Sequence, residues 1–181
     1  WSTRNNITSF SVYGVTDNIG LSPVKVAIKV YLQGPFNTST GKMNTGLNSS
    51  NYLPTSQPYS GSPYNYSGSE SVGSSFFSSN PNIVDWVLVQ LRSGTGSNTI
   101  LQTRAAFIKN DGTIVDIDGS SEVKFNTVIS GSYYIVVQHR NHLAVMSASS
   151  VNLSGGNNST YDFTTSLTKA YSQGGSQMVA V

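Results

Sequence analysis

The chain has no cysteine, which excludes disulfide staples, thiolate catalysis and cysteine-built zinc sites. It also has little charge. Asp, Glu, Lys and Arg make up 10% of its residues, against about 25% in an ordinary globular domain. Ten basic and eight acidic residues leave a net charge of +2, and no basic run occurs. Nucleic acid is therefore not an expected partner, because neutralising several phosphates needs clustered Lys and Arg. No apolar run approaches the ~18 residues of a membrane-spanning helix, so no membrane insertion is expected. Two histidines and two glutamates leave few groups for general acid–base work. There is no G-x-S-x-G elbow, phosphate loop or dinucleotide fingerprint, so the expectation is a non-enzyme without a cofactor. A helical period is missing too.

What is present is 181 residues, one domain's worth, of which about a third are Ser, Thr and Asn. Unfolded chains of low hydrophobicity usually carry high net charge, and this one is nearly neutral. Its uncharged polar residues thus read as the surface of a folded domain. Val (18) outnumbers Leu (10), and β-branched residues favour pleated surfaces. Over residues 24–33 the alternation is strict, with Val24, Val26, Ile28, Val30 and Leu32 on one face. Residues 83–92 are apolar on both faces, placing Ile83, Val87, Val89 and Leu91 opposite Val84, Trp86 and Leu88. Residues 99–109 and 113–117 flank Asn110-Asp111-Gly112, a hairpin signal. Residues 132–139 read as a central strand that Arg140-Asn141 turns back into 143–146. Shorter strands are expected at 10–15, 151–153, 161–164 and 177–181. The pattern predicts a single all-β domain over 1–181, an antiparallel β-sandwich with Greek-key, Ig-like or jelly-roll-like connections.

Residues 34–82 are mostly Gly, Ser, Asn, Pro and Tyr. Phe36, Leu47, Tyr52, Leu53, Tyr59, Tyr64 and Tyr66 are more large anchors than a flexible linker carries, so an ordered excursion over a sheet is expected. Tyr52, Tyr59, Tyr64 and Tyr66 are candidates for a sugar-binding platform, or else they fasten this excursion down. Asp111, Asp116 and Asp118 form the one acidic cluster and are candidate calcium ligands, although the twelve-residue calcium loop is incomplete. His139 and His142 could share a metal with an Asp; otherwise they support a turn.

Several segments together resemble a family of bacterial cell-surface domains. They are Gly34-Pro35-Phe36-Asn37, Gly41-Lys42-Met43-Asn44, Gln57-Pro58-Tyr59, Thr103-Arg104-Ala105-Ala106 and Tyr161-Asp162-Phe163-Thr164. The most specific are Val84-Asp85-Trp86-Val87-Leu88 and His139-Arg140-Asn141-His142-Leu143. The family comprises hemagglutinin-like modules of large secreted proteins of the Bacteroidota, often with a type IX secretion sorting domain. The resemblance implies an extracellular, cell-surface location. The start at Trp1 rather than Met fits the expectation of a processed export product.

The functional expectation is a structural or adhesive surface subunit whose partners are its own copies or neighbouring surface domains. Residues 1–20 read as a strand and linker that a neighbour could borrow, with Phe10, Val12 and Val15 as the subunit interface. Such strand addition would build a filament. The alternative is a carbohydrate-binding module with glycans as partners.

Overall fold

The computed structural model describes residues 22–156 and 158–172. The strands expected at 10–15 and 177–181, and with them Phe10, Val12 and Val15, lie outside those residues. The strands are β1 (Val24–Val26), β2 (Ile28–Lys29), β3 (Phe36–Asn37), β4 (Lys42–Met43), β5 (Ile83–Arg92) and β6 (Ile100–Lys109). They continue as β7 (Thr113–Val115), β8 (Val123–Phe125), β9 (Gly131–His139), β10 (His142–Met146), β11 (Val151–Leu153) and β12 (Tyr161–Asp162). The main sheet runs β10-β9-β5-β6-β7-β2-β12, and β11 pairs with the first residues of β9. β1 and β8 form a second, two-stranded sheet, and β3 and β4 a small hairpin. The fold is all-β and sandwich-like. Among the described strand pairs, β2 and β12 alone run parallel.

The alternation over 24–32 holds for burial. Val24, Val26, Ile28, Val30 and Leu32 are all buried, and the residues between them are half-exposed. As a strand, however, the run is split. β1 pairs with β8 and β2 with β7, so the chain changes sheets near Ala27 while keeping one face on the shared core. Side-chain alternation reports which way a residue faces, and not which strand lies beside it.

β5 is the central strand, buried on both faces and flanked by β6 and β9. Its start departs from strict alternation. Ile83 lies opposite Lys109 and Asp85 opposite Ile108, so a bulge at Val84 inserts one residue. Ile83 therefore joins Trp86 and Leu88 on one face, and Val84 joins Val87, Val89 and Leu91 on the other. The expected assignment of those two residues is reversed.

The inner core, between the main sheet and β1–β8, is chiefly Val, Ile and Leu with Phe125 and Phe163. The outer face of the main sheet presents Trp86, Leu88, Ala105 and Phe107. Residues 34–82 cover it with Leu53, Tyr59, Phe77, Tyr64, Tyr66, Val72 and Phe76. The excursion is thus ordered. It includes two one-turn helices, α1 (Gly46–Ser49) and α2 (Phe76–Ser79), too short to leave a period in the sequence.

Candidate functional site: a buried carboxylate beside an open groove

The two most specific sequence segments meet at one end of the main sheet. β5 and β9 run antiparallel with Leu88 opposite Gln138, which brings Asp85 to the β9–β10 turn. Asp85 is 1% exposed in an apolar strand. A buried carboxylate needs hydrogen bonds and a counter-charge, and this one has both. His139 Nε2 lies 3.0 Å from Oδ2. One Arg140 nitrogen, Nη2, donates to Oδ1 at 2.7 Å and to Oδ2 at 2.9 Å. The Trp86 backbone N–H donates to Oδ1 at 2.7 Å. Burial alone would raise the carboxyl pKa, but the His139 hydrogen bond and the Arg140 charge more than reverse this, leaving it below the ordinary value.

Hydrogen-bond direction fixes the tautomers of both histidines. The Gly34 N–H donates to His142 Nε2 at 3.2 Å, so that nitrogen carries no proton. The neutral ring then holds its proton on Nδ1 and donates to His139 Nδ1, 2.9 Å away. The Asn141 N–H also donates to His139 Nδ1. The His139 proton therefore sits on Nε2, facing Asp85. The chain reads Gly34 to His142 to His139 to Asp85, every step in one direction.

An open groove of about 660 Å³ borders this chain. Leu32, Pro35, Leu47, Tyr52 and Val84 supply its apolar wall, and Asn44, Ser50, Asn141 and His142 its polar one. Tyr52 is 75% exposed there.

The four candidate tyrosines divide. Tyr59 is fully buried, and its hydroxyl donates to the Trp86 carbonyl at 2.7 Å. Tyr64 donates to the His139 carbonyl at 2.8 Å. The Tyr66 hydroxyl lies 2.6 Å from Glu70 Oε1 and 3.1 Å from the Thr103 carbonyl. These three fasten the excursion to the sheet, which leaves Tyr52 as the exposed ring. Trp86 is also buried, and its ring N–H donates to the Pro54 carbonyl at 2.9 Å. Burial of Tyr59 pushes its hydroxyl pKa well above the ordinary value, as it does for Tyr66, so both stay protonated donors.

The three carboxylates of the acidic cluster do not converge on one point. Asp116 is buried and takes the Arg104 guanidinium through Nε and Nη2, the latter at 2.6 Å. It also accepts the N–H groups of Ile117 and Lys124. Asp118 caps a separate turn through the N–H groups of Ser120 and Ser121, and Asp111 accepts from Thr113. Each carboxylate is engaged locally, and among the described residues no group of three His, Cys, Asp or Glu is placed to hold a metal ion. His139, His142 and Asp85 are likewise spread along a chain of contacts. Asp85 meets His139 on Nε2, while His142 meets it on Nδ1, so the three do not converge on one point.

Asp85 and Arg140 were not candidate site residues on sequence grounds, although a signal existed. A single charge inside Ile83–Leu88, apolar on both faces, must find a buried partner, and Arg140 directly follows the strand read at residues 132–139. Comparison of the chain with protein-family models, with curated proteins and with solved structures returns no match.

Proposed function

We propose that this chain is a non-enzymatic structural or adhesive subunit of a bacterial outer surface. The observation that carries this reading is the clamping of residues 34–82. Tyr59, Tyr64 and Trp86 tie the excursion to the central strands through backbone carbonyls, and Asn48 donates to the carbonyls of Asn80 and Ile83. Loop material fixed in this way presents a rigid face. A surface with few charges has weak like-charge repulsion and suits packing against copies or neighbouring domains. In the filament form of this reading, residues 1–20 supply a strand to a neighbour, with Phe10, Val12 and Val15 at the interface. Negative-stain imaging tests it: fibres are expected from the full chain and should vanish when residues 1–15 are removed. Fibres that survive the deletion would refute strand donation.

A second reading, a carbohydrate-binding module, is favoured by the groove. No hydrogen bond among the described residues engages the side chains of Asn44, Ser50, Tyr52 or Asn141, which border it. An exposed ring with free amides and hydroxyls suits the apolar face and the hydroxyl edge of a neutral sugar. Glycan-array binding that Tyr52→Ala abolishes is the expected result, and a blank array would count against this reading.

A further inference from the structure

The hydrogen-bond chain through His139 and His142 has no place for another proton. At its groove end the acceptor is His142 Nε2 and the donor is a backbone N–H, which cannot reverse its role. A proton added to Nε2 would set two donors against each other at 3.2 Å. The contact matters because of what it holds. Gly34 lies at the corner where the excursion leaves the inner core. The corner's other hydrogen bonds run from Phe36 back to Gln33 and from Asn44 to Pro35. Among the described residues, Gly34 to His142 is the one hydrogen bond from residues 33–36 to the β9–β10 hairpin.

We propose that His142 is an acid-sensitive latch, whose protonation at Nε2 releases the Gly34–Pro35 corner and opens the groove as the pH falls below neutral. The charged and titratable groups along the hydrogen-bond chain come from three directions: Asp85 from β5, His139 and Arg140 from β9 and its turn, and Tyr64, Tyr59 and Tyr52 from the excursion. Asp85 favours a charged His142, but Arg140 already binds both of its oxygens. Burial, and then His139, depress the His142 pKa, and these outweigh the attraction of Asp85. The latched state consequently binds fewer protons than the released one. The latch is complete above the ordinary histidine pKa and is lost as the pH falls from there through the lowered value.

That the latch governs access to a ligand rests on the groove being the binding site proposed above, whereas the latch itself can be read without a ligand. Nuclear magnetic resonance of the full chain at about pH 7.5 should find His142 as the Nδ1–H tautomer and His139 as the Nε2–H tautomer. At about pH 5.5, Gly34 amide exchange, corrected for its intrinsic rate, should rise roughly tenfold in step with His142 titration. His142→Gln keeps an acceptor that takes up no proton, so Gly34 protection should persist and lose its pH response. An Nε2–H tautomer at His142, or a Gly34 amide that stays protected while His142 titrates, would overturn the latch. So would an unchanged acid response in His142→Gln. A working latch with a blank glycan array would sink the groove reading alone.

Discussion

On the inner face of β5, Val87, Val89 and Leu91 meet side chains brought by other strands; on its outer face, Trp86 and Leu88 meet an excursion with little repetitive structure. Strands bring their backbone hydrogen bonds with them, so the inner core can be filled chiefly with Val, Ile and Leu. Irregular chain leaves carbonyls and N–H groups to be satisfied one by one. The outer core is accordingly aromatic and amphipathic. Tyr59 places a ring in the core and a hydroxyl on the Trp86 carbonyl, and Trp86 returns a bond to Pro54. One layer is held by shape and the other by shape together with directed hydrogen bonds.

Asp85 bears on both faces, because it sits at the bulge where β5 changes phase and fastens the end of β9. Asp85→Ala is expected to have the largest effect, about 3 kcal/mol of lost stability, since removing it leaves the buried His139 Nε2–H without an acceptor and part of Arg140 buried without a counter-charge. The value stands at the low end for a broken pair because Arg140 is a third exposed and can turn to solvent. Urea denaturation measures it, and a loss under about 1 kcal/mol would mean that the pair is not a fastening of the sheet. The pH dependence has a defined sign. The Asp85 pKa is lowered by folding, so its contribution is present above the ordinary carboxylate range and is lost on acidification.

The contrast between the layers is tested directly by Val89→Ala and Tyr59→Phe. Val89 is fully buried in the inner core, and its truncation should cost about 2 kcal/mol, with exchange protection falling across β5, β6 and β9. Tyr59→Phe keeps the ring and leaves the Trp86 carbonyl without its donor, costing about 1–2 kcal/mol. Its loss of protection should concentrate in residues 53–72, with the sheet little changed. Equal loss over sheet and excursion in both variants would show that the two layers are one cooperative unit, and the distinction drawn here would fail.

The same contrast explains what could be read in advance. Alternation marked Val24 through Leu32 and both faces of β5, because strand side chains point up and down whatever their partners are. It could not mark the sheet change near Ala27 or the bulge at Val84, which depend on pairings distant in sequence. Nor could it place β8 or the β3–β4 hairpin, whose runs of three and two residues are shorter than a pattern needs. The tyrosines of the excursion were visible as anchors, but which hydroxyl meets which carbonyl is set by tertiary packing. That decided Tyr52 for the groove and Tyr59, Tyr64 and Tyr66 for the clamp. The local partners of Asp111, Asp116 and Asp118 were equally out of reach, because nearness in sequence is not convergence in space.

The smallest effect is expected at Asp118, whose carboxylate bonds within its own turn between β7 and β8. Its carboxylate accepts the N–H groups of Ser120 and Ser121 and the Ser121 hydroxyl, and these bonds outweigh partial burial to bring its pKa to about 2. A local cap of this kind contributes about 0.5–1 kcal/mol, so Asp118→Ala should lower the melting temperature by a few degrees at most. Because folding lowers this pKa, the contribution is present above the ordinary carboxylate range and fades as the pH falls toward 2. Asp116 turns away to Arg104 and Asp111 to Thr113, so the three carboxylates should not act together on a cation. Millimolar calcium is therefore expected to leave the melting temperature of both the parent chain and Asp118→Ala unchanged. A calcium-dependent rise in the parent that disappears in Asp118→Ala would mean that the turn rearranges around an ion, and the local-cap assignment would be wrong.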